Sequence, residues 1–251
     1  MSVNKKTIFV TGATSGVGLK ITELLVAQGH TVYATGRNTV ALKALERVGA
    51  NVIQADLANV ATIDEVCAQL PPLDVAILSA GVGKFGMAPD LSDEAIRQMV
   101  ELNVNVPIYL AKRLAAPMIQ RQQGQLIFIG SQAGKVATPK ASVYAATKHA
   151  IVGFTNGLRM ELAPYNVKVT AIHPGPIDTP FLDKASDESG YRESLGRFLL
   201  TAEEVAQATI NTIERPVREV NLPRIMGLTS KLYAMAPATV EFLGKSFFNK
   251  K

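Results

Sequence analysis

The stretch TIFVTGATSGVG, residues 7–18, decides how this chain folds. Its first five residues form a short apolar run of the kind found in strands buried on both faces. Three glycines follow within the next seven positions, and the amphipathic segment Gly16–Gln28 predicts a helix that stops at Gly29. A strand, a glycine-rich turn and a helix in this order are typical of a loop that binds phosphate groups.

Each glycine of this loop has a predicted purpose. Gly12 lets the strand turn tightly, Gly16 lets the backbone approach a pyrophosphate, and Gly18 lets the helix pack closely on the sheet. The N-terminus of the helix adds free N–H groups and a partial positive charge. The alternative is a βα turn without a ligand. The loop therefore supplies our first candidate cofactor-binding residues: Gly12, Thr14, Ser15, Gly16, Val17 and Gly18.

Short apolar runs alternate with longer helical segments along the chain. We predict strands at residues 7–11, 31–35, 51–55, 74–79, 125–130 and 167–172, with a weak seventh at 219–222. We predict helices at residues 16–28, 40–48, 63–70, 93–118, 142–163 and 201–213, the helix at 93–118 being bent near Pro107 and Pro117.

This alternation predicts an α/β fold with a doubly wound, mostly parallel, Rossmann-like sheet and helices on both faces. A closed barrel would need eight comparable units, which is more than the sequence provides. No linker or internal repeat interrupts the pattern, so residues 1–251 are expected to form a single domain.

Composition indicates a globular protein, since 47% of the residues are apolar and 19% are charged. The formal net charge is 26 − 21 = +5. Residues 215–251 hold seven basic and two acidic residues, so this tail carries the whole excess. A short basic tail without a known reading module does not favour nucleic-acid binding.

Cys67 is the single cysteine, which excludes an internal disulfide and a zinc site built from several cysteines. The three dispersed histidines have no metal-ligand spacing, so no metal is expected. Residues 1–6 lack the features of a signal peptide, and no apolar run is long enough to span a membrane. We expect a cytoplasmic protein.

Arg37 follows the second predicted strand, where an acidic residue would bind the 2′-hydroxyl of an adenosine ribose. No acidic residue is present there. An arginine can instead hold a 2′-phosphate through a charge-assisted contact. The sequence therefore favours NADP(H) over NAD(H), the alternative being a solvated surface arginine.

Ser131, Tyr144 and Lys148 form the predicted catalytic set. Ser131 follows the fifth strand, and Tyr144 and Lys148 share one face near the start of a helix because they are four residues apart. A neighbouring ammonium favours the phenolate form of a tyrosine, whose ordinary pKa is about 10. Tyr144 can then exchange a proton with a carbonyl or alcohol oxygen, while Ser131 fixes that oxygen.

Over roughly residues 5–214 the chain resembles the short-chain dehydrogenase/reductase family, in its single-domain branch of about this length. The motifs that carry the resemblance are Thr11–Gly18, Asp56-Leu57, Ala80-Gly81, Asn103, Ser131, Tyr144-x-x-x-Lys148 and Pro174-Gly175 with Thr179. Two stretches depart from the family pattern: Leu78-Ser79-Ala80-Gly81, and the C-terminus after Glu219–Leu222.

The resemblance implies further roles. Asp56 would bind the adenine amino group, with the backbone of Leu57 nearby, and Asn103 would hold a water of a proton relay from Lys148. Lys148 would also contact the nicotinamide ribose, and Tyr144 would lie beside the nicotinamide ring. The remaining candidate cofactor residues are Ala80, Gly81, Pro174, Gly175, Ile177 and Thr179. Structural alternatives exist: Asp56 as a helix cap, Asn103 as a polar bridge and Pro174-Gly175 as a turn.

We therefore expect an NADP(H)-dependent oxidoreductase that transfers a hydride between nicotinamide and a carbonyl or secondary alcohol. The alternative is a non-catalytic dinucleotide sensor or scaffold with the same fold. The substrate pocket is predicted to be apolar, with Phe85, Phe181, Leu182 and Tyr191 among residues 82–87, 132–138 and 181–197.

Two predictions concern assembly. The helix from Ser142 is apolar on nearly all sides, which indicates a covered outer face and a homodimer or homotetramer. The tail 224–251 mixes apolar residues with lysines and has three interpretations: packing near the substrate mouth or a subunit, weak binding to an anionic membrane surface, or a frayed end.

Overall fold

The computed structural model describes residues 4–186, 192, 195–196 and 199–243. Seven strands form one sheet in the order β3-β2-β1-β4-β5-β6-β9, and all neighbouring strands run parallel. The strands are β1 Thr7–Thr11, β2 Thr31–Gly36, β3 Asn51–Gln54, β4 Val75–Leu78, β5 Gly124–Ile129, β6 Val167–Pro174 and β9 Glu219–Leu222. A second small sheet pairs β7 Ile177–Asp178 with β8 Leu200–Thr201.

The helices connect the strands and continue beyond the last one. They are α1 Gly16–Ala27, α2 Thr39–Arg47, α3 Val60–Ala68, α4 Asp93–Val100, α5 Val106–Arg121, α6 Ser142–Leu162, α7 Pro180–Ala185, α8 Ala202–Glu214, α9 Arg224–Met235 and α10 Pro237–Leu243. The predicted fold class, a doubly wound Rossmann-like α/β fold, is confirmed. Predicted bounds agree with the observed ones within three residues for most elements, and the weak seventh strand is present as β9.

The predicted single helix 93–118 is the main error in the secondary structure. Two α-helices lie there, α4 and α5, joined by a π-helical turn at Glu101–Asn105. Pro107 explains why the helix is interrupted in the turn before the proline and not at the proline itself. Proline has no N–H for the carbonyl four residues before it, which here is that of Asn103, and its ring crowds that carbonyl.

Two hydrophobic cores lie on opposite faces of the sheet, because successive strand residues point to opposite sides. Phe9 and Leu126 contribute to the core shared with α3, α5 and α6. Ile8 and Val10 contribute to the core shared with α1 and α8. The sheet is therefore covered by helices on both faces, as the continuous apolar strands predicted.

The chain reverses its direction of travel across the sheet between β1 and β4. The strands β2 and β3 follow on one side of β1, and β4 starts the other side. Crevices at such switch points, outside the carboxyl ends of the strands, bind ligands in open α/β sheets. Two loops meet here, the glycine-rich loop after β1 and the segment Ser79–Gly81 after β4.

The backbone approaches its neighbours very closely at Gly12 and Gly18 beside this crevice. Gly12 has a φ of +66°, and a Cβ there would lie 2.9 Å from the Cα of Ala80. A Cβ on Gly18 would lie 2.4 Å from the carbonyl oxygen of Gly12. The tight turn and the close helix–sheet packing predicted for these two glycines are therefore both present.

Among the described residues, no helix combines the length and apolarity needed to cross a membrane.

A capping box formed by Thr201 and Glu204 begins α8. Thr201 Oγ1 accepts a hydrogen bond from the backbone N of Glu204 at 3.1 Å, and Glu204 Oε2 accepts one from the backbone N of Thr201 at 2.7 Å. The backbone N–H groups of Thr201 and Glu204 are thereby satisfied.

We predict that Thr201→Ala lowers the free energy of unfolding by about 0.5–2 kcal/mol, because the N-terminus of α8 loses its cap. Urea denaturation of the two proteins measures the difference. Thr201→Ser keeps the hydroxyl and should stay close to wild type. Equal stability of the alanine and serine variants would contradict this assignment.

Candidate active site

A cavity of about 1230 Å³ opens along the carboxyl edge of the sheet. It extends from the glycine-rich loop after β1, past the ends of β4, β5 and β6, to α9 and α10. Its volume exceeds the roughly 300–1,000 Å³ of common ligand pockets, which leaves room for an extended ligand. The predicted catalytic set Ser131, Tyr144 and Lys148 lies on its wall.

Tyr144 and Lys148 occupy the buried face of the first two turns of α6. Tyr144 is 9% exposed and Lys148 is 7% exposed. The ammonium nitrogen of Lys148 lies 5.7 Å from the centre of the Tyr144 ring. The helical spacing of four residues therefore brings the phenol and the amine together, as the sequence predicted.

The environment of Lys148 destabilises its charge. Its Nζ donates a hydrogen bond to the carbonyl oxygen of Ile129 at 3.3 Å. Burial lowers the pKa of Lys148 to about 8, because the surrounding protein solvates an ammonium poorly. Lys148 is therefore largely protonated at neutral pH but exchanges its proton far more readily than an exposed lysine.

Two aromatic rings enclose Tyr144. Phe85 meets it edge to face, with ring centres 5.6 Å apart, and Phe181 lies on another side at 5.8 Å. Both phenylalanines line the cavity. They keep water from the sides of the phenol, and they give the adjoining space an apolar character.

Ser131 lies two residues after the end of β5, at the start of a short 3-10 turn, Gln132–Gly134. Its Oγ accepts a hydrogen bond from the backbone N of Ala133 at 3.1 Å. A Cβ on Gly134 would lie only 2.6 Å from the carbonyl oxygen of Lys148, so the turn rests directly on α6. The serine and the lysine are thus fixed relative to each other through backbone contact.

Asn103 lies behind the cavity wall and not on it. Its Oδ1 accepts a hydrogen bond from the backbone N of Val82 at 2.9 Å, and its Nδ2 donates to the carbonyl oxygen of Val82 at 2.8 Å and to Thr147 Oγ1 at 3.1 Å. The asparagine therefore pins the loop after β4 to α6, which is the polar bridge that the sequence left as an alternative. Its role in a proton relay stays a prediction.

The cavity wall is electropositive. Among the described residues that line it, four are cationic and none is acidic: Arg37, Lys84, Lys148 and Lys184. The N-terminus of α1 adds a partial positive charge from Gly16 onward. A dinucleotide with several phosphate charges fits such a wall.

Arg37 reaches the cavity from the end of β2, and its side chain is 67% exposed. One guanidinium nitrogen lies 3.8 Å from a carboxylate oxygen of Asp56. Such an exposed pair is weak, so the guanidinium is available to another anion. Asp56 Oδ1 accepts a hydrogen bond from the backbone N of Ala58 at 3.2 Å, whereas Asn59 caps α3. The helix-cap alternative for Asp56 is therefore wrong.

Most of the predicted cofactor residues line this one cavity. They are Gly12, Ser15, Gly16, Val17, Gly18, Arg37, Ala80, Gly81, Tyr144, Lys148, Pro174, Gly175, Ile177 and Thr179. Three do not line it. Thr14 packs on Gly36, Leu57 is buried in the core, and Asp56 is exposed beside Arg37. Their roles toward a cofactor stay predictions.

The far end of the cavity contains residues that the motifs did not indicate. Gln98 and Met99 come from α4, and Ile225, Met226, Thr229, Tyr233 and Val240 come from the C-terminal helices. The described part of the tail thus packs beside the cavity, which is the first of its three interpretations. Of the predicted pocket residues, Phe85, Phe181 and Leu182 line it, Met87 is exposed, and Tyr191 falls outside the described residues.

His173 is buried at the end of β6, as expected for a structural histidine. Its Nε2 lies 3.9 Å from a carboxylate oxygen of Glu219, and among the described residues no group hydrogen-bonds its Nδ1. Burial lowers the pKa of His173 to about 4, and the neighbouring Lys135 adds to this. The imidazole is therefore neutral at physiological pH.

The buried ammonium of Lys148 costs stability, and Lys148→Met should recover it. We predict that the free energy of unfolding of the variant at pH 7 is higher than that of wild type by about 1–3 kcal/mol, since each unit of pKa shift corresponds to ~1.4 kcal/mol. The folded-state pKa lies below the ordinary 10.5, so the cost is fully present below about pH 8 and fades toward pH 10.5.

Urea denaturation at pH 7 and pH 9.5 measures this gain. We expect it to be larger at the lower pH. A variant no more stable than wild type at pH 7 would contradict the assignment of the pKa shift to burial.

Comparisons with known proteins agree with this geometry. A family model described as short chain dehydrogenase matches residues 6–190. The NADP-dependent 3-hydroxy acid dehydrogenase YdfG of Salmonella typhi is 34% identical, over 95% of this chain and 98% of the relative. The dehydrogenase/reductase SDR family member 7B of Mus musculus is also 34% identical, over 86% of this chain and 72% of the relative.

Among solved structures, the closed form of a serine dehydrogenase complexed with NADP+ is similar with a TM-score of 0.81 and 31% identity. The match covers 86% of this chain and 94% of that one. The family model covers more than half of the chain, and the match to the 34% identical YdfG relative covers 95% of this chain and 98% of that protein. The chain therefore belongs to the short-chain dehydrogenase/reductase family.

Proposed function

We propose that this protein is an NADP(H)-dependent oxidoreductase that interconverts a carbonyl compound and its alcohol. The observation that carries the proposal is the pairing of Tyr144 with the buried Lys148 on the wall of a cavity that also contains the glycine-rich loop. A proton-transferring group and a dinucleotide-binding loop thus share one space.

The residues along the cavity fit the cofactor. The N-terminus of α1, from Ser15 to Gly18, would hold the pyrophosphate, and Arg37 would hold the 2′-phosphate. Gly81 lies so close to Asn103 and Lys148 that a Cβ there would come within 3.1 Å of Asn103 Oδ1. When bound, the nicotinamide supplies or accepts the hydride.

Tyr144 moves the proton. In reduction its hydroxyl protonates the oxygen that becomes the alcohol, and in oxidation the phenolate accepts that proton. The ammonium of Lys148 stabilises the phenolate electrostatically. The hydroxyl of Ser131 donates a hydrogen bond to the same substrate oxygen, which fixes its distance from Tyr144.

The preference for NADP(H) rests on charge. β2 ends at Gly36 and Arg37 follows it, so the acidic residue that would bind a free 2′-hydroxyl and repel a phosphate is not present there. Two relatives at 31% and 34% identity carry NADP in their descriptions, which supports the same preference here.

The substrate is an apolar carbonyl or alcohol. Phe85 and Phe181 adjoin Tyr144, and Leu182, Met99 and Met226 extend the apolar wall of the cavity. Small 3-hydroxy acids form the competing class, because similar proteins act on them by name. A panel containing 2-ketones from 2-butanone to 2-decanone, benzaldehyde and 3-hydroxypropanoate separates the two classes.

A dinucleotide sensor without catalysis is the alternative function. It would not need a buried lysine, whose charge is destabilised by its surroundings. Groups kept at a cost to stability are typical of catalytic sites. The intact set Ser131, Tyr144 and Lys148 therefore favours the enzyme.

The assembly we propose is a homodimer or homotetramer. Ala146, Ala150 and Gly153 are exposed on the side of α6 away from the sheet, and such small residues let another helix approach closely. On α9, Leu228 and Leu232 are more than half exposed. The exposed leucines of α9 fit contact with a second subunit or with an anionic membrane surface. Co-sedimentation of the protein with anionic vesicles would indicate the membrane contact.

We propose that residues 1–251 form one domain. We also propose that the protein is cytoplasmic, because a chain with a single cysteine fits a reducing compartment.

We predict that Tyr144→Phe lowers kcat by about 10²–10⁴-fold, because the proton donor is removed while the ring remains. NADPH absorbance reports turnover, and fluorescence titration should show unchanged NADPH affinity. Tyr165→Phe, a surface variant outside the cavity, serves as the matched control. Full turnover by Tyr144→Phe would reject the proposed mechanism.

We predict that Arg37→Gln weakens NADPH binding by about 10–100-fold, which is the value of a lost charge-assisted hydrogen bond. NADH binding should change little. Arg47→Gln removes the same charge from the exposed end of α2 and controls for general electrostatics. Wild-type protein that uses NADH with kcat/KM equal to or above that for NADPH would overturn the cofactor assignment.

A further inference from the structure

The turn that carries Ser131 is held by polar side chains to which the proposed reaction assigns no role. Gln132 and Lys135 project from the turn toward β9, and both are largely buried. Gln132 Nε2 donates a hydrogen bond to the backbone carbonyl of His173 at 2.7 Å, which ties the turn to β6. The remaining donors of the turn reach β9.

Asn221 on β9 receives those donors. Its Oδ1 accepts hydrogen bonds from Gln132 Nε2 at 2.9 Å and from Lys135 Nζ at 3.0 Å. Its Nδ2 donates to Glu219 Oε1 at 3.1 Å, and the same carboxylate oxygen pairs with Lys135 Nζ at 2.8 Å. Both acceptor positions of the amide oxygen are used, so this one side chain fixes both ends of the turn.

Asn221 also supports the opposite wall of the cavity. A Cβ on Gly227 of α9 would lie 3.1 Å from Cβ, Cγ and Nδ2 of Asn221, so α9 rests directly on this side chain. Met226 and Thr229 of the same helix line the cavity. The asparagine therefore lies between the serine turn and the substrate end of the cavity.

The geometry points to Asn221 as a positioning residue that sets the place of the Ser131 hydroxyl. Ser131 Oγ accepts a hydrogen bond from the backbone N of Ala133 within the same turn, so the hydroxyl moves when the turn moves. Displacement of a positioning group by about 1 Å can cost on the order of 100-fold in rate. This inference rests on the proposed role of Ser131 in the reaction.

A double-mutant cycle between Asn221 and Ser131 tests it. We measure kcat, KM and NADPH affinity for wild type, Asn221→Ala, Ser131→Ala and the double variant, with the fastest substrate of the panel above. Asn221→Ala should lower kcat about tenfold with NADPH affinity unchanged. In the Ser131→Ala background the same change should cost less than about twofold, because no hydroxyl is left to position.

The cycle separates positioning from a general structural role. A merely structural asparagine would lower kcat by the same factor in both backgrounds, and that result overturns the inference while leaving the proposed function intact. Wild-type kcat in Asn221→Ala overturns it as well. Full activity of Ser131→Ala would reject the role of Ser131 and the positioning inference together.

Three further variants strengthen the test. Asn221→Asp keeps an acceptor oxygen for Gln132 and Lys135 but loses the N–H group that is donated to Glu219, so it should recover part of kcat. Lys135→Met removes one donor and repeats the cycle if Asn221→Ala folds poorly, which thermal denaturation reveals. Asn211→Ala, on the exposed side of α8 with its side chain bonded to Gln207, is the control and should match wild type.

Discussion

The ammonium of Lys148 must be buried next to a phenol, and this requirement constrains the surrounding structure. The loop after β4 passes close to the lysine, since a Cβ on Gly81 would lie 3.6 Å from Lys148 Nζ, and a Cβ on Gly134 in the turn after Ser131 would lie 2.6 Å from the carbonyl oxygen of Lys148. Nζ of Lys148 donates a hydrogen bond to the carbonyl oxygen of Ile129 at the end of β5, and within the described part of the chain no acidic side chain pairs with it. Burial without neutralisation keeps a positive charge available to Tyr144 and brings the pKa of Lys148 near neutrality.

The parallel sheet makes this arrangement accessible to a ligand. The carboxyl ends of β1, β4, β5 and β6 meet at one edge, so segments far apart in sequence share one cavity. The glycine-rich loop, the electropositive wall and the Tyr144–Lys148 pair therefore face the same space. Asn221 adds a second layer, since it connects the serine turn with the helix that lines the far end.

Local patterns predicted much of this organisation. Continuous apolar runs predicted the strands, and Gly12 and Gly18 predicted the tight loop after β1, because both follow from sterics within a few residues. The four-residue spacing of Tyr144 and Lys148 predicted that the two side chains share one helix face. These features need only neighbouring sequence.

Features that depend on distant contacts could not be predicted. Gln132, Lys135 and Asn221 belong to no motif, and their network forms only because β9 lies beside β6. The packing of α9 and α10 against the cavity likewise depends on tertiary contacts and not on periodicity. The π turn at Glu101–Asn105 had a local signal in Pro107, but that signal predicts a bend near the proline and not the exact position or type of the irregular turn.

The central claim is that the phenol and the amine perform chemistry on a carbonyl group beside a reduced dinucleotide. The most direct measurement is the stoichiometry of NADPH consumed against alcohol formed, across the panel of ketones and aldehydes. The account predicts one alcohol per NADPH for at least one apolar carbonyl compound. Tight NADPH binding without reduction of any member of the panel would contradict it.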